Sequence, residues 1–155
     1  MHFQRHNAMS TFVSELTAEV SSWPQISVRT HRFGGTEFAV GAAEVGHVHD
    51  NGVVDIPFTR KIRDVLLEER LAEQHRWIPN SGWTTFQIRR AEDVRHACRL
   101  MRLSYVRYLL RTALNPGEVF ETECQCLNMS PRLVALLCQT SPTLHRRSRF
   151  DRPSS

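Results

Sequence analysis

The sequence predicts an α+β fold, an antiparallel β-meander with helices packed on one face of the sheet. Three features point there. Strand-like segments crowd between residues 26 and 58, joined by connections too short for a crossover helix, so neighbours must run antiparallel. Segments of helical period flank that block on both sides. The order helix, four strands, helix, strand, helix then stacks helices against one sheet.

Each element has its own signal. Residues 1–9 read as a flexible N-terminus, with Ser10 as the cap of a first helix. Phe12, Val13, Leu16 and Val20 recur at helical spacing up to Ser22, and Trp23-Pro24 stops the helix. The expected strands are Ile26–Phe33, Thr36–Val40, Glu44–His49 and Val53–Ile56. Gly34-Gly35 suits the first tight connection, and Asp50-Asn51-Gly52 predicts a type I′ turn. Pro57 closes the block, and Thr59 caps a helix running to Gln74 with Phe58, Ile62, Val65 and Leu66 inward. Residues 77–82 form a loop, and Trp83–Ile88 is a strand rich in threonine and aromatics. A long helix spans Ala91–Thr112, with Val94, Cys98, Met101, Tyr105 and Tyr108/Leu109 as its apolar stripe. Asn115-Pro116-Gly117 is a break, Pro131–Gln139 a short helix, and the chain from Ser141 a loose tail. The domain limits are thus placed at 10–112, with 113–155 a partly disordered extension.

Composition excludes several classes. The 155 residues are 41% hydrophobic and 23% charged, which fits one globular domain rather than a disordered chain, a collagen repeat or a coiled-coil rod. No apolar run nears the roughly 20 residues of a membrane span. The first ten residues lack a secretory h-region, so a cytoplasmic location is expected. The net charge is +4, and Lys61 is the sole lysine among 20 basic residues. Arginine suits phosphates, so Arg95, Arg99 and Arg102 on one helix face form a candidate nucleic-acid surface, or simply a solvated face. The four cysteines form no C-x-x-C pair. The phosphate-binding loop, the dinucleotide fingerprint and the G-x-S-x-G elbow are absent from the sequence.

The richest stretch is Glu44-Val-Gly-His47-Val-His49-Asp50. Residues two apart on a strand face the same way, so His47 and His49 project together. Glu44, three before His47, faces away unless a bulge intervenes near Gly46. The paired imidazoles suit proton transfer, anion holding or metal binding. A metal needs a third ligand, for which His75 is the best remote candidate, and spacing alone leaves the metal set at none. A second cluster, His75-Arg-Trp77 through Gly82-Trp83, sets a histidine beside two tryptophans that either wall a pocket or cap the core. Asp55, Arg60 and Lys61 line a pocket mouth or solvate the helix start.

The E-x-x-H-x-H-D run, His75 after a helix, Thr85-Phe86-Gln-Ile-Arg89 and then Glu92-Asp93 at a helix start resemble the luciferase-domain family, over residues 24–110. The resemblance implies an oxidoreductase, an oxygenase needing no flavin, metal or other cofactor, acting on an enolisable aromatic molecule. It implies that His47 or His49 takes the enol proton, with Glu44 beside them, and that His75 steadies developing charge. Trp77, Trp83, Phe86 and Arg60 are then the substrate contacts. Against the fungal luciferase that gives the family its name, the chain is shorter, is expected to have no N-terminal membrane segment, and differs around His75, where it reads Glu73-Gln74-His75-Arg76-Trp77. The layout also resembles MmcQ/YjbR-like domains, through a strand like Trp83–Ile88 and the Ser104-Tyr105 of the last helix. That likeness implies nucleic-acid binding as the alternative. A tail that binds a protein partner is a third reading, and the oligomeric state is open.

Overall fold

A computed structural model describes residues 2–145. The order of elements is α1 (His2–Ser21), β1 (Ile26–Thr30), β2 (Thr36–Val40), β3 (Ala43–Val48), β4 (Val53–Pro57), α2 (Arg60–Glu68), β5 (Glu73–Gln74), β6 (Trp83–Gln87), α3 (Ala91–Thr112), α4 (Pro116–Leu127) and α5 (Pro131–Cys138). The fold is α+β. Six strands form one sheet in the order β1-β2-β3-β4-β6-β5, and every pair is antiparallel. The chain divides into two compact units, up to residue 104 and from residue 105.

In the first unit, alternation gives the sheet two unlike faces. Phe38, Val48, Val54, Ile56 and Thr84 share one face and are fully buried. The part of α3 up to Ser104 lies against this face. A Cβ built on Gly46 would fall 2.7 Å from Met101 Sδ, Ser104 Oγ donates to the Pro57 carbonyl at 3.2 Å, and the His96 ring meets Phe86 at 4.7 Å. α1 neighbours β1 and β2, and α2 neighbours β5 and β6. Leu16 and Val20 of α1 and Ile62, Val65 and Leu66 of α2 are buried. Thr59 caps α2 as expected, its hydroxyl accepting from Ile62 N at 3.2 Å.

Several elements differ from their sequence signals. α1 begins at His2 rather than after Ser10. No glycine or proline interrupts residues 2–22, so the helix extends back, and Met9 packs against Gly52. β1 ends at Thr30, because His31 begins the turn, taking Gly34 N–H on its carbonyl at 2.9 Å. At Asp50-Asn51-Gly52 only Gly52 has positive φ, +80°. The His49 N–H to Val53 carbonyl bond closes a three-residue connection, not a type I′ turn. α2 stops at Glu68, not Gln74, since Arg70 turns left-handed at φ 58°, and the two-residue strand β5 follows.

In the second unit, Pro116 opens α4 where a break was expected, because proline is tolerated at the first helical turn. α5 is present, capped by the Ser130 hydroxyl. Residues 142–145 form a further helical turn in place of a loose start to the tail. Arg146, Arg147, Arg149 and Arg152, expected in that tail, lie outside the described residues.

Candidate functional site

The face of the sheet opposite α3 is polar. Cross-strand pairing lays Arg29, Glu37, His47, Asp55, Thr85 and Glu73 in one row from edge to edge. An apolar sheet face needs cover, and a charged row does not. At the centre of the row His47 and Asp55 face each other, each 6% exposed.

The β3 bulge supplies the next residue. Phe38 pairs with Gly46 and Ala39 with Glu44, leaving Val45 as the extra residue. The bulge brings Glu44 to the histidine face, where its Oε1 lies 2.6 Å from His47 Nδ1. Gly46 is required here. Its φ is +156°, and a Cβ would fall 2.9 Å from the Asp55 carbonyl oxygen as well as against Met101.

Asp55 is the hub. Its Oδ2 lies 3.3 Å from both His47 Nε2 and His49 Nε2. Its Oδ1 accepts from the Thr85 hydroxyl and lies 3.7 Å from His75 Nε2. Burial pulls His47 toward the neutral form, but its bonds to Asp55 and Glu44 and their charges outweigh this and raise it to about 9. At neutral pH His47 is thus a cation held between two carboxylates. Burial pushes Asp55 up, yet the bonds from His47 and Thr85 and the nearby imidazole charges hold it below its ordinary value.

A fourth histidine joins the cluster. His31 is 7% exposed and stacks on His47 with ring centres 3.8 Å apart and planes 17° from parallel. Burial and the His47 charge lower its pKa. Sequence reading passed over His31, and gave Asp55 only a pocket mouth. A signal for His31 was present: His31-Arg32-Phe33 and His75-Arg76-Trp77 repeat one pattern. In both, the histidine Nδ1 accepts the backbone N–H two residues on, at 3.3 Å from Phe33 and 3.2 Å from Trp77. In both, the arginine lies over the following aromatic ring, at 4.8 and 5.0 Å. Phe33 and Trp77 are 74% and 77% exposed.

The expected site residues therefore separate. Glu44, His47, His49 and His75 come together around Asp55. Trp83 joins them, its ring 5.6 Å from His47 and 6.0 Å from His75. Trp77 projects outward on the loop beyond His75. Phe86 sits on the opposite face, against His96, because it is one residue from Thr85. Arg60 is exposed at the start of α2. The arginine row of α3 is broken: Arg95 and Arg99 are exposed, while Arg102 lies over the Trp23 ring at 4.8 Å. Burial, with the Glu19 and Glu15 charges, raises the Cys98 thiol to about 11, far from a nucleophile's range.

Among the described residues, two groups each offer three potential ligand atoms within 4.8 Å of one another: His31, Glu44 and His47, and His47, His49 and Asp55. No helix among the described residues is long and apolar enough to cross a membrane.

Residues 42–104 match the family model of the Luciferase domain. That stretch holds Glu44, His47, His49, Asp55, His75, Trp83 and Thr85, and leaves out His31 and Phe33. No curated protein and no solved structure matches the chain.

Proposed function

We propose that this luciferase-domain protein binds a small enolisable aromatic molecule on its histidine face and directs molecular oxygen onto it. The observation that carries this reading is the Glu44–His47–Asp55–His49 array, set within the matched stretch and beside Trp83. His49 is the most open of its imidazoles, with 27% of its side chain exposed, and it takes the enol proton. His75, on the far side of Asp55, steadies the anion. The enolate supplies both electrons of the new carbon–oxygen bond. Oxygen is reduced to the peroxide level and the proton returns to it, so no outside reductant is needed. Trp83 offers the nearest aromatic surface for the ring of the substrate.

Oxygen uptake measured with a panel of hydroxylated pyrones and phenols tests this. Wild type should consume oxygen with at least one of them, and His47→Ala and His49→Ala should lose most of that rate. Equal rates in all three proteins would remove the catalytic assignment. The nucleic-acid reading has no comparable support, since the arginines it needs do not form one continuous face.

A further inference from the structure

We propose that His47 Nε2, His49 Nε2 and Asp55 Oδ2 form a binding site for a divalent first-row transition metal ion, with Glu44 as the outer-sphere partner of His47. The inference rests on ligand geometry alone and holds whatever the substrate is.

Spacing comes first. Nitrogen and oxygen ligands sit about 2.0–2.2 Å from such an ion, which at tetrahedral angles separates ligand atoms by about 3.4 Å. Asp55 Oδ2 already lies 3.3 Å from each of the two imidazole Nε2 atoms, and one ligand atom from each of the three residues lies within 4.8 Å of the others. Little repacking is needed to close them on an ion.

Tautomers select the ligands. Glu44 Oε1, 2.6 Å from His47 Nδ1, holds a ring hydrogen on that nitrogen, so it is Nε2 that gives up its proton to an incoming ion and whose lone pair then faces Asp55 and His49. A carboxylate behind a ligating histidine is the usual outer-sphere arrangement, and it raises the basicity of the ligand. His31 and His75 are different. Each accepts a backbone N–H at Nδ1, so in the neutral ring the hydrogen is on Nε2, which then donates rather than ligates. His75 therefore stands beside the site as a donor to Asp55, although it was the third ligand that sequence spacing suggested. The other candidate set, with His31 and Glu44, fails for the same reason and because Glu44 is committed to His47.

Charge and access agree. Asp55 and Glu44 carry two negative charges against the two positive charges of the ion. Three protein ligands leave open positions, and the partly exposed His49 puts them at the solvent side of the sheet. Two histidines with one carboxylate suit Zn²⁺ or Fe²⁺ over Mg²⁺ or Ca²⁺, which take oxygen ligands. An enol oxygen at such a position would meet a Lewis acid in place of a bare imidazole.

Chelator-stripped full-length protein titrated with Zn²⁺ alone, by calorimetry and by metal content after desalting, tests the site. Wild type should hold one ion per chain. His49→Ala, at the most open ligand, should lose it while keeping the wild-type circular dichroism spectrum, and Asp55→Asn should lose it too. Glu44→Gln should weaken binding by about 10- to 100-fold. His31→Ala and His75→Ala should bind as wild type does. The proposal is overturned if wild type binds no more tightly than His49→Ala, or if His75→Ala loses the ion equally. No substrate enters this measurement. The two readings fail separately: Zn²⁺ binding without oxygen uptake would keep the site and remove the proposed function, and oxygen uptake with no Zn²⁺ binding would do the reverse.

Discussion

Asp55 carries most of the cluster's internal order. It gathers His47 and Thr85 from two strands and His49 and His75 from two connections, while being 6% exposed. Truncating one member of a buried charged pair leaves the other uncompensated, at a cost of roughly 3–5 kcal/mol. Asp55→Ala should therefore lower unfolding free energy by about that amount in urea titrations, whereas His49→Ala, at the half-open edge, should cost far less. Gly46 tests a different force. A methyl group there meets Met101 Sδ at 2.7 Å and the Asp55 carbonyl at 2.9 Å. Gly46→Ala should cost about 1–3 kcal/mol through overpacking, read from the same titrations, even though no polar contact is removed.

At the level of elements, α3 shows how a helix start responds to pH. Asp93 accepts the Arg89 and Arg90 backbone N–H groups at 2.8 and 2.9 Å. The Arg89 bond lowers its pKa most, slight burial opposes, and the Arg90 bond lowers it further. Its stabilising contribution is thus complete above the ordinary value of 3.8 and fades as pH falls through the lower folded value. Asp93→Asn should be less stable than wild type at pH 6, and thermal melts should show the gap narrowing by pH 3. The elements also show what sequence can and cannot reveal. Thr36–Val40 and Ala91–Thr112 matched their expected limits, because alternation and helical period are local properties. β5 escaped, since two residues carry no period and Arg70 takes a left-handed φ without glycine.

For the molecule as a whole, the polar face was half legible. The three-residue connection 50–52 sets His47 opposite Asp55, whereas the type I′ turn expected there would have set His47 opposite Ile56, so the hub was one residue of turn length away from being found by register counting. Its reach to His75 depended on β5 and the loop after it, and the stack on His31 on where β1 stops, which are tertiary outcomes. The stretch matching the Luciferase domain supplied the same histidines by resemblance but not Asp55's role. Sheet order also grades stability. β3 and β4 are central, and four of the five residues of the edge strand β1 are exposed. Hydrogen exchange should be slowest in β3 and β4 and markedly faster in β1, because edge amides open without global unfolding. Equal protection across the sheet would contradict that gradient.

Val45 has a consequence for how relatives are recognised. As the supernumerary residue of the bulge, it is what lets a glutamate three positions before His47 share a face with it. A chain lacking that one residue would pair regularly there and would still set its glutamate beside its histidine, because two positions also restore the face. The chemical grouping written here as E-x-x-H can therefore be spelled E-x-H in a shorter homologue. A search that insists on fixed spacing would discard such a protein, whereas one that allows a single gap between glutamate and glycine would keep it.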